Sequence, residues 1–287
     1  FRRAGAPLAV IISGVFGFYH HGGYESLPLK RRVIDVARAA VKPPAGKYFV
    51  RRAMPQRDVG QTAACYEDYN QCRPFSVIRS RDYWMSQLWT TRRETPDGFL
   101  VAQRNERIAA YVRMGRDEML EAAYRGGCRD ALDELFAAVL SLARKRRLEK
   151  LTVYLPSDER LPEGMNEAAT AEEYLTTLVK ITDLHMLFCS VAKALKKRLS
   201  GNRMRELDGW SLGVKLGEQQ AALNFRNGRI RTTGSIPDGC AASLELGHAQ
   251  LIGLLCGRIP ALDHIATRRI GLLFGGKAPL FWPLDTV

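Results

Sequence analysis

An α+β fold, built from mixed sheets with flanking helices, is what this sequence predicts, and three observations carry the prediction. Short apolar runs separated by turn residues read as hairpins, at Phe99–Gln103 with Ile108–Val112 and again around Asn227-Gly228. The stretch Asp130–Arg147 carries apolar residues at 132, 135, 136, 139, 140 and 142–143, the spacing of a buried helix face. Hairpin, then helix, then the strand Leu151–Leu155 is the order of an α+β sheet rather than a barrel of alternating strands and helices.

Composition narrows the function classes. A chain of 287 residues has room for about two domains of ~100–200 residues each. Hydrophobic residues at 46% and charged residues at 25% exclude a disordered tail, a collagen-like fibre and a disulfide mini-protein. No uninterrupted apolar run reaches ~18 residues, so no membrane partner is expected. The net charge is +13, with a pI near 9.7. Residues 1–60 hold +8 of it, residues 61–160 only +2 and residues 161–287 +3. A localised excess argues against a nucleic-acid partner, while local basic patches suit an anionic ligand such as a nucleotide phosphate. Six cysteines, at 65, 72, 128, 189, 240 and 256, form no C-x-x-C pair, and the five histidines do not join them at ligand spacing. No metal is expected; the thiols read as buried and reduced, in a cytoplasmic protein.

Taken in order, Leu8–Ile12 reads as a short, fully buried strand. The apolar stretch Ala4–Phe18 after Arg2-Arg3 resembles a signal peptide, but Pro7 and Gly14 interrupt it and no cleavage site follows. A glycine- and aromatic-rich turn spans residues 13–25, and a basic stretch with the linker Pro43-Pro44-Ala45-Gly46 covers residues 27–48. Tyr48–Ala53 is a strand, and Asp58 suits the cap of the helix after it. Glu118–Tyr124 is a further strand. The helix over 130–147 opens on Asp130, Asp133 and Glu134 and closes on Arg144-Lys145-Arg146-Arg147, both matching the helix dipole. That basic run reads as a solvated helix end. Residues 156–170 read as loop, Ala171–Leu199 as helix with a break near Asp183, Trp210–Leu216, Ala222–Phe225, Ile230–Thr232 and Ala241–Leu246 as strands, and Leu251–Cys256 as a helix stopped by Gly257.

Several of these segments resemble a known family. GVFGFYHHGGYE, residues 14–25, resembles the end of a GCN5-related N-acetyltransferase (GNAT) domain, where an aromatic-Tyr-x-x-x-Gly-Tyr/Phe segment follows the strand flanking the thioester. Tyr48 to Tyr154 looks like a second, degenerate domain of that kind, and residues 210–263 look like a sterol-carrier-protein-2-like domain. Two acetyltransferase domains followed by a sterol-carrier-like one is the order of the bacterial "enhanced intracellular survival" (Eis) family. The resemblance implies a remnant of a first GNAT domain over 1–46, a degenerate GNAT-like domain over 47–169 and a sterol-carrier-like domain over 170–287. It implies that the chain is about the C-terminal 70% of a family member, judged by usual domain size. The family's pyrophosphate-binding loop has no counterpart upstream of residue 14. Its nearest lookalike, Arg125-Gly126-Gly127-Cys128-Arg129-Asp130-Ala131, has misplaced glycines and reads as a tight strand-to-helix turn.

The family transfers acetyl from acetyl-CoA to primary amines of small cationic molecules or of lysine side chains. By the resemblance Tyr19 is the general acid, Val287 supplies the C-terminal carboxylate as general base, and Gly14 and Val15 meet the pantetheine or acetyl end of CoA. A phenol of pKa ~10 stays protonated at neutral pH, within two units of a thiol near ~8.5. Tyr19 also reads as a packed aromatic, and the tail Lys277–Val287 as an ordered end without chemistry. Tyr24, His20 and His21 are weaker candidates, and Glu25 and Asp285 are carboxylates for attracting a cationic amine. The resemblance implies homo-oligomers, hexamers among them. The alternative function is a sterol-carrier-like binder of lipid or another hydrophobic ligand, set against a domain core that Trp210, Phe225 and Leu251–Leu255 suffice to fill.

Overall fold

The computed structural model describes residues 6–13, 15–27, 29–42, 45–71, 73, 76–90, 94–174, 177–199, 201–256 and 264–274. The first elements are β1 (Leu8–Ile12), α1 (Phe16–His21), β2 (Glu25–Ser26), β3 (Leu29–Asp35), β4 (Phe49–Arg52), α2 (Pro55–Asn70) and α3 (Arg81–Thr90). Next come β5 (Phe99–Arg104), β6 (Arg107–Met114), β7 (Glu118–Tyr124), α4 (Arg129–Lys145), β8 (Lys150–Val153), α5 (Glu163–Asn166) and β9 (Ala169–Tyr174). The remainder is β10 (Thr177–Ile181), α6 (Leu184–Arg198), α7 (Asn202–Glu206), β11 (Ser211–Leu216), β12 (Gln219–Arg226), β13 (Arg229–Thr233), β14 (Ala242–Glu245), α8 (His248–Leu255) and α9 (His264–Phe274). The α+β class is as expected.

Residues 29–174 form one compact unit around a seven-stranded sheet in the order β4-β5-β6-β7-β8-β3-β9. Its two central strands are buried on both faces, and α4 lays Leu132, Leu135, Phe136, Val139 and Leu140 against the sheet. Each such side chain contributes roughly 1.5–3 kcal/mol of burial. The β5–β6 turn holds Asn105 and Glu106 at φ 50° and 63°, and the β12–β13 turn holds Asn227 and Gly228 at 52° and 66°. Two successive left-handed residues match the right-handed twist of a hairpin, which is why asparagine and glycine mark such turns. The basic end of α4 is solvated as expected, with Arg144, Lys145 and Arg147 exposed, and two of its guanidiniums also bind neighbouring loops. Arg144 Nη2 donates to Ala39 O (2.6 Å), and Arg146 donates to Gly115 O (2.7 Å) and Thr95 Oγ1 (2.6 Å).

Residues up to 28 and residues 175–277 form the other unit. It holds the three-stranded sheet β1-β10-β2 and the four-stranded sheet β13-β12-β11-β14, the latter covered by α6. Trp210 and Phe225 are buried with ring centroids 6.2 Å apart, and Leu251, Ile252, Leu254 and Leu255 of α8 are buried as well. A side chain at Gly213 would bring its Cβ to 2.7 Å from Ile236 Cγ2, so β11 passes close under that residue. The two compact units thus divide the chain at 28/29 and 174/175, where the sequence reading has boundaries at 46/47 and 169/170.

Three local expectations are corrected. Ala171–Leu199 is not one broken helix: β9, β10 and α6 occupy it, and Asp183 caps α6 by accepting from Met186 N (2.9 Å). Partners on both sides of β10, β1 and β2, decide its state. Strand β1 is not fully buried, since Val10 and Ile12 are each 39% exposed. The turn region after it contains the helix α1. Among the described cysteines, Cys65 is buried while Cys128, Cys189, Cys240 and Cys256 are half-buried, and Cys65, Cys128, Cys189 and Cys240 are free. Among the described residues, no group of three or more His, Cys, Asp or Glu side chains is placed to hold a metal ion. No described helix is long and apolar enough to cross a membrane.

Candidate functional site

Helix α1 has no side-chain cap; Val15 N–H donates instead to Ser13 Oγ (3.0 Å). The helix stops at Gly22-Gly23, where Gly22 N–H returns to Tyr19 O (2.9 Å) and Gly23 turns the chain at φ +77°. A left-handed residue is what glycine supplies without steric cost. That turn folds Tyr24 back onto Tyr19, ring centroids 5.9 Å apart and nearly perpendicular, and Phe18 meets Tyr19 edge-on at 5.2 Å. Tyr19 is half-buried, and its hydroxyl makes no hydrogen bond among the described residues. A half-exposed phenol free to donate is what a general acid requires.

Two residues that the sequence reading passes over join this group from far along the chain. Lys180, on β10, donates from Nζ to Gly22 O (2.6 Å) and stands 5.8 Å from the Tyr24 ring. It therefore ties the turn that follows Tyr19 to the sheet. His248 opens α8, which packs on β2 and β10. Burial holds its imidazole below the usual histidine range; the Glu25 carboxylate opposes that and the Lys180 ammonium adds to it. Its Nδ1 is buried without a hydrogen-bond partner among the described residues. Only the strand character of Thr177–Ile181, with its β-branched Thr, Val and Ile, hints at Lys180 in the sequence, and nothing local hints at His248.

The other predicted residues fare unevenly. Glu25 lies half-buried on β2, paired with Val179 next to Lys180, and its carboxylate acts on the His248 imidazole. His20 Nε2 lies 3.3 Å from Ser26 Oγ and His21 Nδ1 2.7 Å from Gly17 O, each committed locally. Val15 is 64% exposed. Gly14, Asp285 and Val287 lie outside the described residues, as does Gly257.

In the unit formed by residues 29–174, β7 and β8 run parallel for only two residue pairs, Glu118–Thr152 and Met119–Val153, and then part. Side chains of the chain itself bridge the parting. Glu159, 4% exposed, accepts from Tyr124 and Tyr69 hydroxyls (3.1 Å each) and from Arg129 Nε (2.6 Å). Arg129, in the lookalike of the phosphate loop, is thereby held by Glu159 and by Asp133 (2.7 Å). Its guanidinium is neutralised within the unit.

No protein-family model matches the chain, and no curated protein matches it in sequence. Solved structures do match. A GCN5-related N-acetyltransferase from Anabaena variabilis is 15% identical, with a TM-score of 0.68 over 97% of this chain and 73% of that one. Eis1 from Mycobacterium abscessus is 18% identical, with a TM-score of 0.62 over 97% and 74%. A protein of unknown function from Enterococcus faecalis, described as a probable N-acyltransferase, is 15% identical, with a TM-score of 0.64 over 97% and 72%. At these identities the likeness is one of fold: the chain has the α+β fold of GCN5-related N-acetyltransferases.

Proposed function

We propose that this chain belongs to an N-acetyltransferase of the Eis type, which moves acetyl from acetyl-CoA to primary amines of cationic acceptors such as aminoglycosides, polyamines or lysine side chains. The observation that carries the reading is the Tyr19 group: a phenol whose hydroxyl has no hydrogen-bond partner among the described residues, packed on Tyr24 and fixed through the Lys180–Gly22 hydrogen bond. The amine nitrogen forms its bond to the acetyl carbonyl as the carbon–sulfur bond breaks. Tyr19 gives its proton to the departing thiolate, and the Val287 carboxylate takes the proton that the amine loses. Of the two residues assigned to CoA, Val15 has already used its N–H on Ser13, which leaves Gly14 as the backbone contact in this reading. The Glu159 bridge supports placing the chemistry in the unit that carries Tyr19 and not between β7 and β8.

The same reading takes residues 170–287 as a sterol-carrier-like scaffold, with an interior filled by Trp210, Phe225 and the α8 leucines rather than by lipid. It also carries homo-oligomeric assembly, hexamers in particular, a cytoplasmic location and no nucleic-acid or membrane partner. The test is thiol release from acetyl-CoA by the natural gene product containing this chain, with a polyamine or an aminoglycoside as acceptor. Turnover that falls about 10²-fold or more in Tyr19→Phe is expected. Absence of turnover, or a Tyr19→Phe variant as active as the wild type, overturns the proposal.

A further inference from the structure

A second concave site lies in the unit of residues 29–174, well apart in sequence from Tyr19. The β5–β6 hairpin turn, Asp68 of α2 and the Arg125–Cys128 turn before α4 enclose a cavity of about 380 Å³. Three arginines line it: Arg104, Arg107 and Arg125. Several other arginines of this unit are committed to carboxylates: Arg31–Glu172, Arg51–Asp58, Arg73–Asp158, Arg79–Glu121, Arg113–Glu94 and Arg129–Glu159. Arg104 and Arg107 are exposed and make no ion pair among the described residues, and Arg125 makes none either. Arg125 is held in place by its Nε–H bond to Ile108 O (2.9 Å), which turns a flexible guanidinium into a fixed one.

Three positive side chains around one hollow repel each other, and the single lining carboxylate, Asp68, leaves the hollow positive. A dianion set among them relieves that repulsion, and planar guanidiniums match phosphate oxygens two at a time. We infer that this cavity binds a small phosphate-bearing anion. Size limits the ligand, because ~300 Å³ is about the lower bound of ligand pockets. Charge limits it further. The neighbouring cleft, which shares Tyr48 as a wall, is lined by five carboxylates, Asp130, Asp133, Glu134, Glu163 and Glu167, against two lysines, Lys42 and Lys47, and so disfavours an anionic extension. The site therefore reads one phosphate or diphosphate group and not a long anionic chain. The inference does not depend on the acetyltransferase reading.

Calorimetric titration of the 287-residue chain with inorganic phosphate, inorganic pyrophosphate and adenosine diphosphate, at low salt and again at high salt, tests it. Saturable binding of pyrophosphate, weakened by salt, is expected. Equal affinity for pyrophosphate and adenosine diphosphate assigns a free anion as the ligand, tighter adenosine diphosphate assigns a nucleotide, and both support the site. The double variant Arg104→Gln/Arg107→Gln, with both changes on exposed side chains, is expected to weaken binding about tenfold or more at an unchanged melting temperature. Arg116→Gln, outside the cavity, leaves binding intact. No saturable heat with millimolar pyrophosphate, or a double variant that binds like the wild type, overturns the inference.

Discussion

Replacing Arg79 by Met tests an ion pair whose two side chains are fully buried. Arg79 and Glu121 are both fully buried and share two hydrogen bonds, Nη1 to Oε1 at 2.9 Å and Nη2 to Oε2 at 2.7 Å. The Tyr111 hydroxyl donates to the same carboxylate, and the Arg79 guanidinium lies 4.1 Å from the Tyr66 ring and 4.7 Å from the Trp84 ring. Met retains much of the volume and its contact with both rings, so the loss isolates the charge. A carboxylate then stays in the core with one hydroxyl and the flank of Arg113, and breaking a buried pair in this way costs about 3–5 kcal/mol. That is a large share of a total stability of roughly 5–15 kcal/mol. Urea unfolding followed by circular dichroism measures it. The double variant Arg79→Met/Glu121→Met removes both charges and orphans the Tyr111 hydroxyl, at about 1–3 kcal/mol, so it is expected to be more stable than the single variant.

The pH dependence gives a second sign to check. Burial pushes the Glu121 carboxyl up, but the charges of Arg79 and Arg113 and the hydrogen bonds from Arg79 and Tyr111 outweigh it and hold it below the usual glutamate range. In the wild type its contribution is therefore present above the unfolded value and lost as pH falls through the folded one. Without Arg79, burial raises the folded value above the unfolded one. Protonation then relieves the penalty, and the gap between variant and wild type narrows from pH 8 towards pH 5. A gap below about 1 kcal/mol, or one that is constant across that range, refutes the reasoning.

Two further outcomes follow from local geometry. Asp183→Ala removes the side chain that accepts from Met186 N and is expected to destabilise α6 by about 1 kcal/mol, with Asp183→Asn recovering most of it in thermal melts. Burial pushes the Cys65 thiol up to about 12. Maleimide at pH 8 should therefore leave Cys65 unlabelled in the native protein while the half-buried Cys128 and Cys189 react first, as intact-mass analysis with peptide mapping reports. Early labelling of Cys65 contradicts the packing described for α2.

What was legible in the sequence was local. The Asn105-Glu106 and Asn227-Gly228 turns announce themselves through residue type and flanking strands, and α4 through the spacing of its apolar face. Strand β10 was misread because an apolar run beside a helix suits either state alone, and its pairing with β1 and β2 reaches across roughly 150 residues of chain. Helix α1 was missed because six residues with a glycine among them carry almost no periodic signal. Tyr19 was accessible through a motif. Lys180 and His248 were not, since their place beside Tyr24 and Glu25 is created only by tertiary pairing. The Arg144–Arg147 run is the solvated helix end that its composition suggests, Arg144, Lys145 and Arg147 being exposed, but nothing local in it announces that two of its guanidiniums also bind backbone carbonyls.

The strand order β1-β10-β2 carries a temporal implication. Residues 29–174 are contiguous, and their outermost ladder already pairs Leu29 with Tyr174, so a ribosome delivers that whole sheet in a single uninterrupted passage. The opening strands have no such luck: the piece that seats between them is translated only after the intervening body has emerged. Until then Ala9 and Leu27, both buried in the finished fold, lack the strand that pairs beside them. The late arrival of Thr177–Ile181 completes that sheet, and the same event brings Lys180 to the loop behind Tyr19.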